Sequence, residues 1–421
     1  MKRLILLCAF MGAGAQADSV LAPYLPAEAL VKDALITSPL LQSARVQKES
    51  LSAKAERIGV GEQEVTLRST SQHRVEAING VRMHESMVSL ERPFRFWGKR
   101  GLDIDLAEQT QALADIQYAD AMHEGARELL QLWFRHARAL ADQKNANTTF
   151  DLASKLQHLT QVQLKHGEIS QLDADLAQAE FERVSATRAV AQADLATATA
   201  ALRSRYPALP LPTVLPVALT LMPAGGQPAA LPAMTDTLAQ MRQDFLAKNH
   251  ELNMLRVDAQ RLKLAADRAS RDRLPDPTFG VFAGRDRAGA EQVKGISFSM
   301  PLSYSSRALH ATASVAEAQA ASDKVQWAER KLGAEFDSMW QQFAHKRLAA
   351  QNLQTAAQRQ SLAAEKSVKA YTLGEGSLSD VLLIARMASD NLNAAERMQI
   401  EVVELLALIR LDLHQMWDFD E

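Results

Sequence analysis

Gly167-Glu168-Ile169-Ser170-Gln171-Leu172-Asp173 recurs 207 residues later as Gly374-Glu375-Gly376-Ser377-Leu378-Ser379-Asp380, with the Gly, Glu, Ser and Asp kept in place. A heptapeptide match alone is weak, but the spacing holds at a second landmark. Pro93 pairs with Pro301, 208 residues apart, each after an alternating segment (Val88 to Arg92, Ile296 to Met300) and before a helical one. Weaker matches join 34–40 to 245–252. The chain is an internal duplication, and each half reads as helix, strand, strand, long helix, turn, helix.

The repeated heptapeptide marks the turn of two equivalent helical hairpins. Gly167 and Gly374 can end the incoming helix in the left-handed conformation that glycine adopts cheaply. Ser170 and Ser377 stand three residues before Asp173 and Asp380, so each serine can cap the outgoing helix while the Asp sits in its first turn, favoured by the helix dipole. Two readings of these residues remain open: helix punctuation, or a surface where a partner's backbone approaches the glycines.

Proline shows where helices cannot run. Of the 14 prolines, seven fall between Pro207 and Pro232, which makes 207–233 the linker between the copies, and none falls in 94–206 or 302–421. Both proline-free tracts are rich in Ala, Leu, Gln, Glu, Lys and Arg, the residues with the least helix cost. A helix from 98 to 165 would reach about 100 Å and must pack along its length in coiled-coil fashion. Runs such as Ala189-Val190-Ala191-Gln192-Ala193 permit close approach. The expected layout is a leader at 1–17 and a first repeat at 18–206 (hairpin 64–92, long helix 98–165, turn 166–173, helix 173–205). The linker 207–233 and a second repeat at 234–421 (hairpin 277–302, long helix 305–372, turn 373–380, helix 380–415) complete it.

The amino terminus directs export. Lys2 and Arg3 precede an apolar run from Leu4 to Met11, and Ala15-Gln16-Ala17 supplies a small-x-small cleavage site. The run is shorter than the roughly 20 residues of a membrane span. Cleavage after Ala17 removes Cys8, the sole cysteine, so no disulfide is available. A formal net charge of −3 leaves no basic footprint for nucleic acid.

The short non-helical segments carry a membrane argument. In Ile296-Ser297-Phe298-Ser299-Met300-Pro301-Leu302 large apolar and small polar residues alternate, placing one face in lipid or core and the other in water. Residues 278–284, 65–70 and 87–92 complete two hairpins, with polar tips expected near 73–84 and 285–294. Four strands are too few for a barrel, since outer-membrane barrels start at about eight. Open strand edges are not tolerated in lipid, so closure requires several copies of the chain. Phe94, Phe96 and Trp97, beside Arg95, Lys99 and Arg100, and Tyr304 at the comparable place in the second copy, fit a membrane-interface girdle. A buried packing cluster is the other reading.

Catalytic signatures are missing from the sequence: it has no His-Glu-x-x-His, no Gly-x-Ser-x-Gly, no Gly-x-Gly-x-x-Gly and no phosphate loop. The chain is expected to be no enzyme and to carry no cofactor. None of the ten histidines is spaced as a ligand cluster, so no metal site is expected.

Taken together, the leader, the duplication, Leu274-Pro275-Asp276-Pro277 before the third strand, Met300-Pro301-Leu302 after the fourth, and the doubled Gly-to-Asp turn closely resemble the TolC family of outer membrane factors. The resemblance spans nearly the whole mature chain. It implies a mainly α protein with a small β part, an internally duplicated protomer whose homotrimer forms a β-barrel in outer membrane lipid, continued by an α-barrel across the periplasm. It also implies a passive exit duct that works with a periplasmic adaptor and an inner-membrane pump of the resistance-nodulation-division type. The tip residues Gly167, Glu168, Ser170, Gly374, Glu375 and Ser377 would meet the adaptor, and Asp380, with Asp173 and Asp175, would line a periplasmic gate. A second acid that some members carry one turn later is Leu383 here. Leu274-Pro275-Asp276-Pro277 and Gly98-Lys99-Arg100 look most like the heavy-metal cation efflux branch. A duct for drugs or secreted protein is the alternative within the family, and a periplasmic coiled-coil scaffold without a pore is the alternative outside it.

Overall fold

The computed structural model describes residues 21–78, 80–213, 234–302, 304–417 and 419. The leader with Cys8, and 214–233 of the linker, lie outside the described residues. Helices α1 (Glu28–Ile36) and α2 (Pro39–Val60) are followed by strands β1 (Thr66–Val75) and β2 (Arg82–Pro93), then by α3 (Lys99–Lys165) and α4 (Gln171–Arg205). The second copy repeats the order as α5 (Met234–Lys248), α6 (His250–Arg271), β3 (Thr278–Asp286), β4 (Glu291–Ser299), α7 (Ser305–Thr372) and α8 (Leu378–Asp412). The chain is mainly helical with one small sheet.

Local chemistry explains the breaks. The Thr37 hydroxyl donates to the Asp33 carbonyl at 2.8 Å and closes α1, while Ser38 Oγ accepts the Leu41 amide at 3.3 Å and opens α2, with Pro39 in the first turn, where its missing N–H costs nothing. The leading helix of the first copy is therefore two helices.

Of the described residues, those within 43–118 and 250–330 form one compact unit, and those within 21–42, 119–213, 234–249 and 331–419 fall in the other. Each unit draws on both copies of the duplication. In the first, the four strands form one antiparallel sheet in the order β1-β2-β3-β4. Leu67 pairs with Leu90, Leu90 with Val281, Val281 with Ile296, and Phe279 with Phe298, so these side chains share one face. All of them are at least 45% exposed, with Ile296 at 86%. The opposite face carries Thr66, Arg68, Ser89, Glu91, Ser297 and three glycines. A Cβ on Gly295 would fall 2.5 Å from the Phe282 ring, so that ring occupies the space the glycine leaves.

Both hairpins run further than the sequence pattern indicates, closing through 76–81 and 287–290. The polar residues at the tips pair across the strands. Gln72 donates to Glu85 at 2.8 Å, Arg74 meets Glu85 at 3.2 Å, and Ser71 bonds His84 at 3.0 Å. Such pairs stabilise a ladder without apolar alternation.

In the second unit the core follows a seven-residue rhythm. On α7, Phe336, Phe343, Ala350, Ala357, Ala364 and Tyr371 are buried; on α4, Ala177, Val184, Ala191 and Ala198; on α8, Val381, Ala388, Ala395, Val402 and Ile409. A strict heptad repeat is the pattern of left-handed coiled-coil packing. Alanine at most of these sites lets the helices approach closely.

Candidate functional site

The two repeated turns are built alike. The Gly167 and Glu168 amides donate to the Leu164 and Gln163 carbonyls at 3.0 and 2.9 Å, and those of Gly374 and Glu375 to the Tyr371 and Ala370 carbonyls at 3.0 and 2.9 Å. This is the Schellman closure, with glycine in the left-handed region at φ 74° and 86°. A Cβ on either glycine would meet nothing within 4 Å, so the turns face open space. Ser170 Oγ accepts the Asp173 amide and Ser377 Oγ the Asp380 amide, both at 3.1 Å.

The acids differ in what they do. Asp173 returns the cap, its Oδ2 accepting from the Ser170 hydroxyl at 2.7 Å and amide at 3.4 Å, and it is only partly exposed. Asp175 is exposed and accepts from Gln171 Nε2 at 2.9 Å. Asp380 is exposed; Ser377 Oγ accepts its amide, but its carboxylate accepts no reciprocal bond from Ser377 among the described contacts. Glu168, Ser170, Glu375 and Ser377 are exposed as well.

The structure brings the two turns together. Leu156 and Ala177 of the first hairpin pack with Tyr371, Leu378 and Val381 of the second, and the Tyr371 hydroxyl donates to Gln163 Oε1 at 3.0 Å. Burial, and then the negative charge of Asp173, push the Tyr371 phenol above its ordinary pKa. Sequence reasoning missed Tyr371. Its position as the last of the heptad-spaced buried residues on α7, three before Gly374, was the available signal.

A second constellation lies at the strand–helix junction. Lys99 Nζ, 1% exposed, contacts the Leu274 carbonyl at 2.8 Å, Asp276 at 2.8 Å and Asp272 at 2.9 Å. Asp103 accepts from Arg95 at 2.9 Å and Arg268 at 2.6 Å, and Arg268 also pairs with Asp272. Burial works to raise the Asp272 pKa, but the hydrogen bonds and charges of Arg268 and Lys99 outweigh it and hold the carboxyl below its ordinary range.

Around the junction Phe94, Phe96 and Phe279 contact one another and Phe298 contacts Phe279, with Phe94–Phe279 and Phe279–Phe298 ring centroids 5.7 and 5.3 Å apart. Trp97 adjoins Phe96 at 6.5 Å. Phe94, Phe96, Trp97 and Phe279 are 43–52% exposed and Phe298 62%, so this is an aromatic surface rather than a buried cluster. Tyr304 is also exposed, at 58%, with no ring contact among the described ones.

Two histidines distant in sequence also meet. His123 and His414 stack with ring centroids 5.7 Å apart, a pairing that no sequence spacing signals.

Neither a protein-family model nor any curated protein matches the sequence. Solved structures do match in fold. The outer membrane protein VceC from Vibrio cholerae superposes with TM-score 0.75 at 16% identity, over 91% of this chain and 95% of that one. The Campylobacter jejuni CmeC outer membrane channel gives 0.73 at 14%, over 92% and 85%. CusC, described in connection with transmembrane channel formation, gives 0.69 at 15%, over 96% and 95%.

The chain has a TolC-like channel fold. In that fold the repeated turns are the hairpin ends of the two long helix pairs, and the four strands are the β part. No described helix is long and apolar enough to cross a membrane.

Proposed function

We propose that this chain is the protomer of a passive trimeric duct in the outer membrane, the exit channel of a tripartite efflux system, with its helices extending into the periplasm. The observation that carries the reading is the sheet. One face presents Leu67, Leu90, Phe279, Val281, Ile296 and Phe298 outward, and β1 and β4 end the strand order with open edges. Apolar side chains suit hydrocarbon, but unpaired strand edges do not. Three copies would supply twelve strands, comfortably within the range of outer-membrane barrels. The aromatic surface of Phe94, Phe96 and Trp97, and Tyr304, would sit at the headgroups.

The paired turns would then form the periplasmic tip. Their open glycines and exposed Glu168, Ser170, Glu375 and Ser377 are the surface offered to a periplasmic adaptor, which would link the duct to an inner-membrane pump of the resistance-nodulation-division type. Asp380 is the leading gate residue, because its carboxylate is exposed and takes no part in a reciprocal cap. Asp175 is second and Asp173, engaged with Ser170, third. Three symmetry-related carboxylates at a constriction would act on ions by charge. Heavy-metal cations are the proposed cargo, on the strength of the Leu274-Pro275-Asp276-Pro277 and Gly98-Lys99-Arg100 motifs, which the structure joins through Lys99.

The test is single-channel conductance of the detergent-purified protein in a planar bilayer, with Asp380→Ala compared at several ionic strengths and with divalent cations. A small conductance that rises, or loses its cation block, in the variant supports a duct gated at Asp380. A protein that extracts without detergent and never conducts is a periplasmic scaffold instead.

A further inference from the structure

We propose that His123 and His414 hold a borderline divalent transition-metal ion, of the Zn²⁺, Ni²⁺ or Co²⁺ class, with Asp412 as the positioning carboxylate. Ring nitrogens of the two imidazoles lie within 4.8 Å of each other, close to the roughly 4 Å that two metal–nitrogen bonds of about 2.1 Å can span, so a small side-chain adjustment would bring both onto one ion. His123 Nε2 is 3.2 Å from Asp412 Oδ1, and the Asp412 side chain is only 2% exposed. A carboxylate that accepts one ring N–H is the usual second partner of a ligating histidine, fixing its tautomer and ring orientation. Arg127 pairs with the same carboxylate and balances its charge, so Asp412 is suited to orienting His123 rather than to binding the ion. Imidazole donors favour ions of this class over magnesium or calcium. Water or other donors complete the coordination.

The backbone at His414 points the same way. The amides of His414 and Gln415 donate to the carbonyls of Leu411 and Arg410 at 3.0 and 2.9 Å, a Schellman closure of α8 with His414 in the left-handed position at φ 54°. Glycine fills that position at no steric cost, as it does at both hairpin turns of this chain. A histidine held there in strained backbone is a sign that its side chain is used. An ion at this place would tie the chain just beyond α8 to the middle of α3.

The site stands apart from the duct reading, and its test does not depend on conduction. The full mature chain, purified in detergent without a polyhistidine tag, is titrated with Zn²⁺ by calorimetry and with Co²⁺ by absorption spectroscopy. One ion per chain is expected. His414→Gly is the decisive variant, because it removes the imidazole while suiting the backbone: it should fold at least as stably without metal and lose the binding. His123→Ala should do the same to binding, and Asp412→Asn should weaken it about 10- to 100-fold. His73→Ala with His84→Ala is the control, since those rings face each other across β1 and β2 with centroids 5.1 Å apart. Binding that survives His414→Gly and His123→Ala, or that disappears in the His73/His84 control, overturns the assignment.

Discussion

Lys99, the first residue of α3, holds Asp276, the acid of the Leu-Pro-Asp-Pro motif, at 2.8 Å in a site where the lysine is 1% exposed. The two residues are 177 positions apart and come from different copies of the duplication. Their contact makes the start of the first long helix and the approach to the third strand one joint. A buried charge with three acceptors is satisfied, but removing one side leaves the other uncompensated. Lys99→Met should therefore destabilise this unit by about 3–5 kcal/mol. Denaturant unfolding of the detergent-solubilised protein measures this, and hydrogen exchange at 272–277 should rise with it. Arginine at this position should not restore stability, because its planar fork does not match three acceptors converging on one ammonium.

The same joint sets an acid limit. The folded Asp272 carboxyl is held below its ordinary range, so its contribution is present above the unfolded pKa of 3.8 and is lost as pH falls through the folded value. Unfolding midpoints followed downward from pH 5 should drop, and less steeply in Asp272→Asn. An unchanged slope in that variant would remove Asp272 from the account.

Glu404 on α8 should behave in the opposite sense. Burial raises its pKa, outweighing the charge and hydrogen bond of Arg138. A raised folded pKa gives stability that is full below the ordinary value of 4.5 and is lost as pH rises through the folded value. Glu404→Gln should be neutral or stabilising at pH 7, and its advantage should shrink toward pH 4.5. Comparing the two unfolding midpoints across that range decides it.

The hairpin turns predict a set of small, local losses. Ser170→Ala and Ser377→Ala remove a cap and should each cost about 1 kcal/mol, and Gly374→Ala, at φ 86°, should cost a similar amount from strain alone. Tyr371→Phe loses the bond to Gln163, with a net cost of about 1 kcal/mol. Hydrogen exchange over 156–178 and 368–382 reads these effects locally. Asp173→Ala should affect exchange more than conductance, because its carboxylate serves the cap, whereas Asp380→Ala should do the reverse.

The fold class was legible because its signals are local and doubled. A glycine that must turn left-handed, a serine three residues before an acid and an alternating strand each leave a mark in adjacent residues. What was not legible depends on distance. The hairpin tips escaped because cross-strand pairs such as Gln72 with Glu85 carry strand structure through a polar stretch that reads as loop. Lys99 was read as part of a basic cluster and of the Gly98-Lys99-Arg100 motif, not as a buried cation; its burial follows from acceptors about 175 residues away. His123 and His414 fell among ten histidines with no ligand spacing, and no spacing rule joins residues whose meeting is made by helix packing. Among the proposed gate acids, sequence treats Asp173 and Asp380 alike, and only side-chain geometry shows one of them already engaged.

The open edges of β1 and β4 bear on how this protein must be handled in the laboratory. In the proposed trimer those edges are satisfied only by another chain, which makes folding a reaction of higher order in protein. Its apparent stability should climb with concentration and fall on dilution, as for any obligate assembly. Every melting point measured on this chain is then also a statement about how much of it was in the tube.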